Sequence, residues 1–150
     1  MKKHFTTVIF FFSFAIIAVL TGCHKDKGCR EWEQTTIEPQ ALLNTKWKCT
    51  GFVNAKSCMI KKSEHHLNFY EDGTLSGCGC NVLVGNYKID FITGNINIHN
   101  FITSEVLCPP EANEKLYVET LNKVQFFSLQ GNELRLYYNN KNNYLLFKRL

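Results

Sequence analysis

Clusters of basic residues are scarce in this 150-residue chain. Beyond Lys61-Lys62 no Arg/Lys cluster follows the N-terminus, so the electrostatic footprint of a nucleic-acid binder is missing. Internal repeats are missing too. Histidines are few, and His24, His65, His66 and His99 stand in no known catalytic motif. Glu71 and Asp72 read as turn residues, while Asp90 and Glu105 are isolated; all four read as solvated positions on strand ends. An enzyme needs a nucleophile, base or metal in a defensible arrangement, and none is marked, so the expectation is a non-enzymatic protein without a cofactor. The apolar stretch Val8 to Leu20, broken by Ser13, falls short of the roughly twenty residues a spanning helix needs.

That stretch does have the length of a secretory h-region, and Met1-Lys2-Lys3-His4 supplies a basic n-region. Leu20-Thr21-Gly22-Cys23 then closes it and resembles the lipobox of bacterial lipoproteins. The resemblance implies a signal peptide over residues 1–22, cleavage before Cys23, and acylation of the Cys23 thiol as the membrane anchor. Removing 22 of the 150 residues leaves 128, one domain's worth. The formal charge of +4 falls to about +2 once Lys2 and Lys3 are gone. His24 after the lipidated Cys resembles lipoproteins forwarded to an outer membrane, and Lys25-Asp26 hints at surface display.

Seven cysteines become six when Cys23 carries lipid: Cys29, Cys49, Cys58, Cys78, Cys80 and Cys108. An even set in an exported chain predicts disulfides, because extracytoplasmic compartments are oxidising, and six thiols allow fifteen pairings. Cys78 and Cys80 lie two apart and face one side of a strand, better placed for separate partners than for each other. Paired thiols disfavour a cysteine protease. Zinc held by Cys78, Cys80, His65 and His66 is the weaker alternative, since adjacent histidines on a strand point to opposite faces.

Residues 24–40 are polar and aperiodic and read as a tether, with the domain at 41–150 opening on a helical turn at Ala41-Leu42-Leu43. Most of the rest alternates with period two. Trp47 and Cys49 share a face over Lys46–Phe52, and Leu67 and Phe69 point inward before a Glu71-Asp72-Gly73 turn. Leu83, Tyr87 and Ile89 line one face around Gly85, and Asn95–His99 forms another strand. A helix is expected after Pro109-Pro110, with Glu111 and Glu114 in its first turn and Tyr117, Leu121 and Val124 as its buried stripe. Strands Gln125–Leu129, Glu133–Tyr138 and Tyr144–Lys148 finish the chain. The prediction is a mainly β (α+β) fold, a small antiparallel barrel-like or coiled sheet of about eight strands with one packed helix.

Gly79-Cys80-Asn81-x-x-x-Gly85-x-Tyr87 resembles the corresponding element of META domains, the HslJ-like family of bacterial envelope proteins. The order of later features agrees: Thr103 before Cys108-Pro109, the acidic helix, the Gly131-Asn132-Glu133-Leu134-x-Leu136 hairpin and the closing Leu146-Phe147-Lys148-Arg149. Upstream, Leu43-x-x-x-Trp47 and Leu67-x-Phe69-x-x-Asp72-Gly73 resemble the opening strand and first hairpin. The resemblance implies a compact antiparallel sheet with one helix, no established catalytic residue, a loose association with envelope stress, and a Cys80–Cys108 disulfide. It leaves Cys29, Cys49, Cys58 and Cys78 as additional staples. Asn81 is expected to brace a turn, and Gly85 to permit close backbone approach.

The functional expectation is a non-enzymatic envelope lipoprotein, a binding or structural module that binds or braces an unknown envelope protein at the membrane surface, with Tyr137, Tyr138 and Tyr144 as a candidate contact patch. A carrier of lipid or another hydrophobic ligand in the barrel interior is the second reading, and an inhibitor of a secreted hydrolase the third.

Overall fold

The computed structural model describes residues 39–54, 56 and 60–150. Cys23, Cys29 and Cys58 lie outside them, as do the signal peptide and nearly all of the tether. Among the described residues, α1 (Pro39–Leu42) is followed by β1 (Lys46–Asn54), β2 (Ile60–Lys62), β3 (His66–Phe69), β4 (Thr74–Cys78), β5 (Val82–Asp90) and β6 (Asn95–Thr103). A 3-10 turn (Pro110–Ala112) and α2 (Glu114–Leu121) precede β7 (Phe126–Gln130), β8 (Glu133–Tyr138) and β9 (Asn143–Arg149). No described helix is long and apolar enough to cross a membrane.

All neighbouring strands pair antiparallel, in the order β2-β1-β3-β4-β5-β6-β7-β8-β9, and β1 also pairs with β9, closing the sheet into a ring. Alternation supplies the core: Trp47, Leu67, Phe69, Phe127, Leu136 and Phe147 are among the side chains buried inside. Burial of each such side chain contributes about 1.5–3 kcal/mol. Trp47 carries a polar group into this core, and its Nε1–H donates to the Leu42 carbonyl at 3.1 Å, which seats α1 on the ring.

Two bulges adjust the pattern. Thr50 is an extra residue in β1 between Cys49 and Gly51, facing Phe147 and Leu146 of β9, and its hydroxyl donates to the Leu146 carbonyl. The insertion shifts the inward parity, so Trp47 and Cys49 precede it on the core side and Phe52 follows it there. β6 carries an extra residue opposite Gly85, with Asn100 at φ 56°. A Cβ on Gly85 would stand 3.0 Å from the Phe101 ring and 3.2 Å from the His99 carbonyl, the close approach expected of it.

Nine strands form among the described residues, in keeping with the about eight expected; the added one, Ile60–Lys62, pairs with the distal half of β1 and is too short to show alternation. Three expectations need correction. β6 runs on to Thr103, since its bulge breaks the period that marked Asn95–His99. The helix starts at Glu114, because Asn113 takes a left-handed φ of 55° and separates it from the 3-10 turn; Val124 is buried beyond its end. Tyr144 is buried beneath the Arg135 guanidinium, and Tyr137 and Tyr138 are half-buried, so these tyrosines are not an exposed patch.

Candidate functional site

β6 is joined to β7 through one residue pair, Asn95↔Phe126, and α2 covers the ring beyond it. Tyr117, Thr120 and Leu121 are the buried face of α2. Between α2 and the segment after β6 lies an open groove of about 650 Å³, lined by Thr103, Val106, Cys108, Leu116 and Val118. Its lip holds the most exposed large apolar side chain described, Leu107 at 97 %, with Val106 at 60 % beside it.

The lip is held from behind. Cys80 and Cys108 form the disulfide that the family resemblance implied. Asn81, itself buried, uses both ends of its amide: Oδ1 accepts from the Ser104 hydroxyl and the Val106 N–H at 2.8 Å each, while Nδ2 donates to the Val106 carbonyl at 3.2 Å and to Cys108 Sγ. One short side chain therefore satisfies the turn leading out of β6, and the expected bracing role has its partners.

Beneath the groove runs a polar chain that the sequence reading did not anticipate. His65 is buried, with Nε2 at 2.8 Å from Glu114 Oε2 and Nδ1 at 2.7 Å from Ser63 Oγ. Glu114 Oε2 also accepts the Cys80 N–H at 3.2 Å. A carboxylate only accepts, so the Nε2–H donates to Glu114, while Nδ1 and the Ser63 hydroxyl share the second hydrogen bond. The Tyr117 ring stacks on the imidazole at 4.0 Å. Glu114, read from sequence as a helix-dipole residue, is thus the peg fastening α2 to β3 and to the disulfide turn. The signal for His65 was present: the parity that puts Leu67 and Phe69 inside also puts His65 and Ser63 inside.

Gly79 explains why this motif opens on glycine. A Cβ there would lie 2.7 Å from His65 Nε2, closer still to Cδ2, and 2.9 Å from Glu114 Oε2. The His65–Glu114 hydrogen bond occupies the space a side chain would take.

Two of the expected staples are thiols. Cys49 is fully buried, and Cys78 is exposed on the outer face, where its Sγ is 3.9 Å from His66 Nδ1. Strand parity decides this: Cys49 points into the core from β1, while Cys78 points outward from β4 with β3 between them. His65 and His66 point to opposite faces as expected, and the Cys80 sulfur is taken by Cys108. Burial, with Lys46 and Lys48 nearby, holds His66 below the ordinary histidine range. Burial pushes the Cys49 thiol up to about 11, against lowering hydrogen bonds from Ser63 and Gly51. The protonated thiol therefore favours the fold below the ordinary thiol pKa near 9, and this contribution fades as pH rises toward 11. The loss amounts to about 1.4 kcal/mol per pH unit across that window. In folded protein, alkylation followed by peptide mass spectrometry should label Cys78 at pH 8 and label Cys49 only after denaturation. Equal labelling of both would contradict the placement of Cys49.

A closed antiparallel ring with a short helix, Glu114–Leu121, packed on it and a disulfide-stapled loop after β6 is the class of domain these features define. The META domain family model matches residues 40–150, and the chain belongs to that family. Solved structures agree on the fold. A DUF4847 family protein from Bacteroides vulgatus is similar with a TM-score of 0.58 and 19% identity, over 73% of this chain and 94% of that one. A protein from Burkholderia xenovorans gives 0.61 and 19%, over 84% and 97%. No curated protein matches the chain.

Proposed function

We propose that the protein is a non-enzymatic lipoprotein of the bacterial outer membrane, held by acylated Cys23, whose META domain binds a protein partner in the envelope through the Val106-Leu107 lip. The observation that carries this reading is the cost of displaying that lip. A 97 % exposed leucine is held in place by a disulfide and by four contacts of a buried asparagine. Adjacent exposed apolar side chains rimmed by polar residues mark a site of interaction.

The polar chain beneath supports a structural rather than catalytic role. Ser63–His65–Glu114 has the composition of a hydrolytic relay, yet the backbone donors beside it are committed: the Gly79 N–H to the Asn81 carbonyl and the Cys80 N–H to Glu114. Neither is left to hold an oxyanion. Carriage inside the ring is less well supported than the lip, since Trp47, Tyr117, Phe69, Phe127 and Phe147 fill that space.

The test is photo-crosslinking in the native envelope with the probe at Leu107, and at Asn132 on the remote β7–β8 turn as control. A discrete protein adduct at Leu107 and none at Asn132 is expected, together with loss of Cys23→Ser protein from the membrane fraction. Equal adducts at both positions would remove the lip from the proposal, and membrane retention of Cys23→Ser would remove the anchor.

A further inference from the structure

The opposite end of β6 carries a second groove, of about 630 Å³, which the partner-binding reading does not use. It crosses the seam where β6 meets β7. Its apolar lining comes from the half-buried Ile89 and Phe126, with the core residues Ile96 and Val124 behind them. Around that lining stand four side-chain amides from separate parts of the chain: Asn95 and Asn97 on β6, Gln125 before β7, and Asn140 on the β8–β9 turn.

All four amides are exposed. Asn95 donates to the Thr93 hydroxyl, but the side chains of Asn97, Gln125 and Asn140 have no hydrogen-bond partner among the described residues. Asn140 sits in a turn in which Asn139, Asn140 and Lys141 all have φ between 51° and 64°. Lys141 holds that turn beside the groove, with its ammonium 4.6 Å from the Phe126 ring centroid. The backbone at the seam, by contrast, is used: the Ile96 N–H donates to the Gln125 carbonyl and the Phe127 N–H to the Gly94 carbonyl. An added peptide strand would therefore meet an edge already paired. Lys88 and Asp90 both line the groove and Lys141 stands beside it, so charges of both signs are present; the Asp90 carboxylate accepts from the Ile92 and Thr93 N–H groups and the Thr93 hydroxyl.

We infer that this groove is a binding site for a neutral oligosaccharide segment. Each amide offers two donors and an acceptor, and a sugar hydroxyl both donates and accepts. The apolar lining suits the C–H faces of pyranose rings. A volume near 630 Å³ falls within the range of small-ligand sites.

The experiment titrates the isotope-labelled mature chain with chitotriose, maltotriose and mannotriose and follows backbone and side-chain amide signals. At least one trisaccharide should produce saturable shifts at Asn97, Gln125 and Asn140 while leaving Leu107 unmoved. The Asn97→Ala/Gln125→Ala pair should weaken that binding by about tenfold or more, the effect of about 1.4 kcal/mol. Asn140→Gly, which keeps the left-handed backbone and removes the amide, should weaken it as well and covers the case in which the pair does not fold. The inference is overturned if none of the three sugars gives saturable groove shifts up to about 20 mM, an affinity too weak to count. It is equally overturned if the shifts survive the substitutions.

Discussion

Replacing Gly79 with Ala is expected to destabilise the domain by about 3 kcal/mol, the range of overpacking combined with a broken buried pair. The added methyl would fall between His65 and Glu114, and neither can yield cheaply. The imidazole is buried and stacked on Tyr117, and the carboxylate is held by the Cys80 N–H. Gly85→Ala provides the comparison, since its nearest neighbours lie at 3.0 Å or beyond, and about 1 kcal/mol is expected. Urea denaturation measures both. In a His65→Ala background the Gly79→Ala penalty should shrink by more than about 1 kcal/mol, because residues in contact are not additive. Additive losses would mean that the ring is not what the glycine makes room for.

Removing both ends of the disulfide, Cys80→Ser with Cys108→Ser, is expected to cost about 3.5 kcal/mol by the loop-closure relation for a separation of 28 residues. The loss should be local in its dynamics as well as global in its energy. Asn81 loses its Sγ contact, while its bonds to Ser104 and Val106 remain as the lip's support. Hydrogen exchange should therefore accelerate first at residues 104–110, and the Leu107 crosslink should weaken. A change below about 1 kcal/mol with unaltered exchange would show that the asparagine alone holds the lip, against the expectation for a native staple.

Much of the scaffold was legible in the chain. Trp47, Leu67, Phe69, Leu83, Leu134 and Leu136 all lie inside as their alternation required, because period two is a property of the extended backbone itself. Bulges at Thr50 and opposite Gly85 were not legible, since an inserted residue looks like ordinary sequence until its partner strand is known. Tyr144 reads like its neighbours Tyr137 and Tyr138, yet Arg135 from the adjacent strand covers it. The inward position of His65 follows from strand parity, but its hydrogen bond to Glu114 does not, because that partner is 49 residues away and on a helix.

By itself the sequence determined the antiparallel alternation, the helix after the proline pair and the family pattern that joins Cys80 to Cys108. These depend on local backbone geometry or on an ordered motif, and both survive in one dimension. Only the tertiary structure decided that Cys49 and Cys78 stay apart, that Gly79 makes room for a buried His65–Glu114 bond, and that four distant amides gather around one groove. Each of those depends on which strands become neighbours, a property of ring closure that no single segment contains.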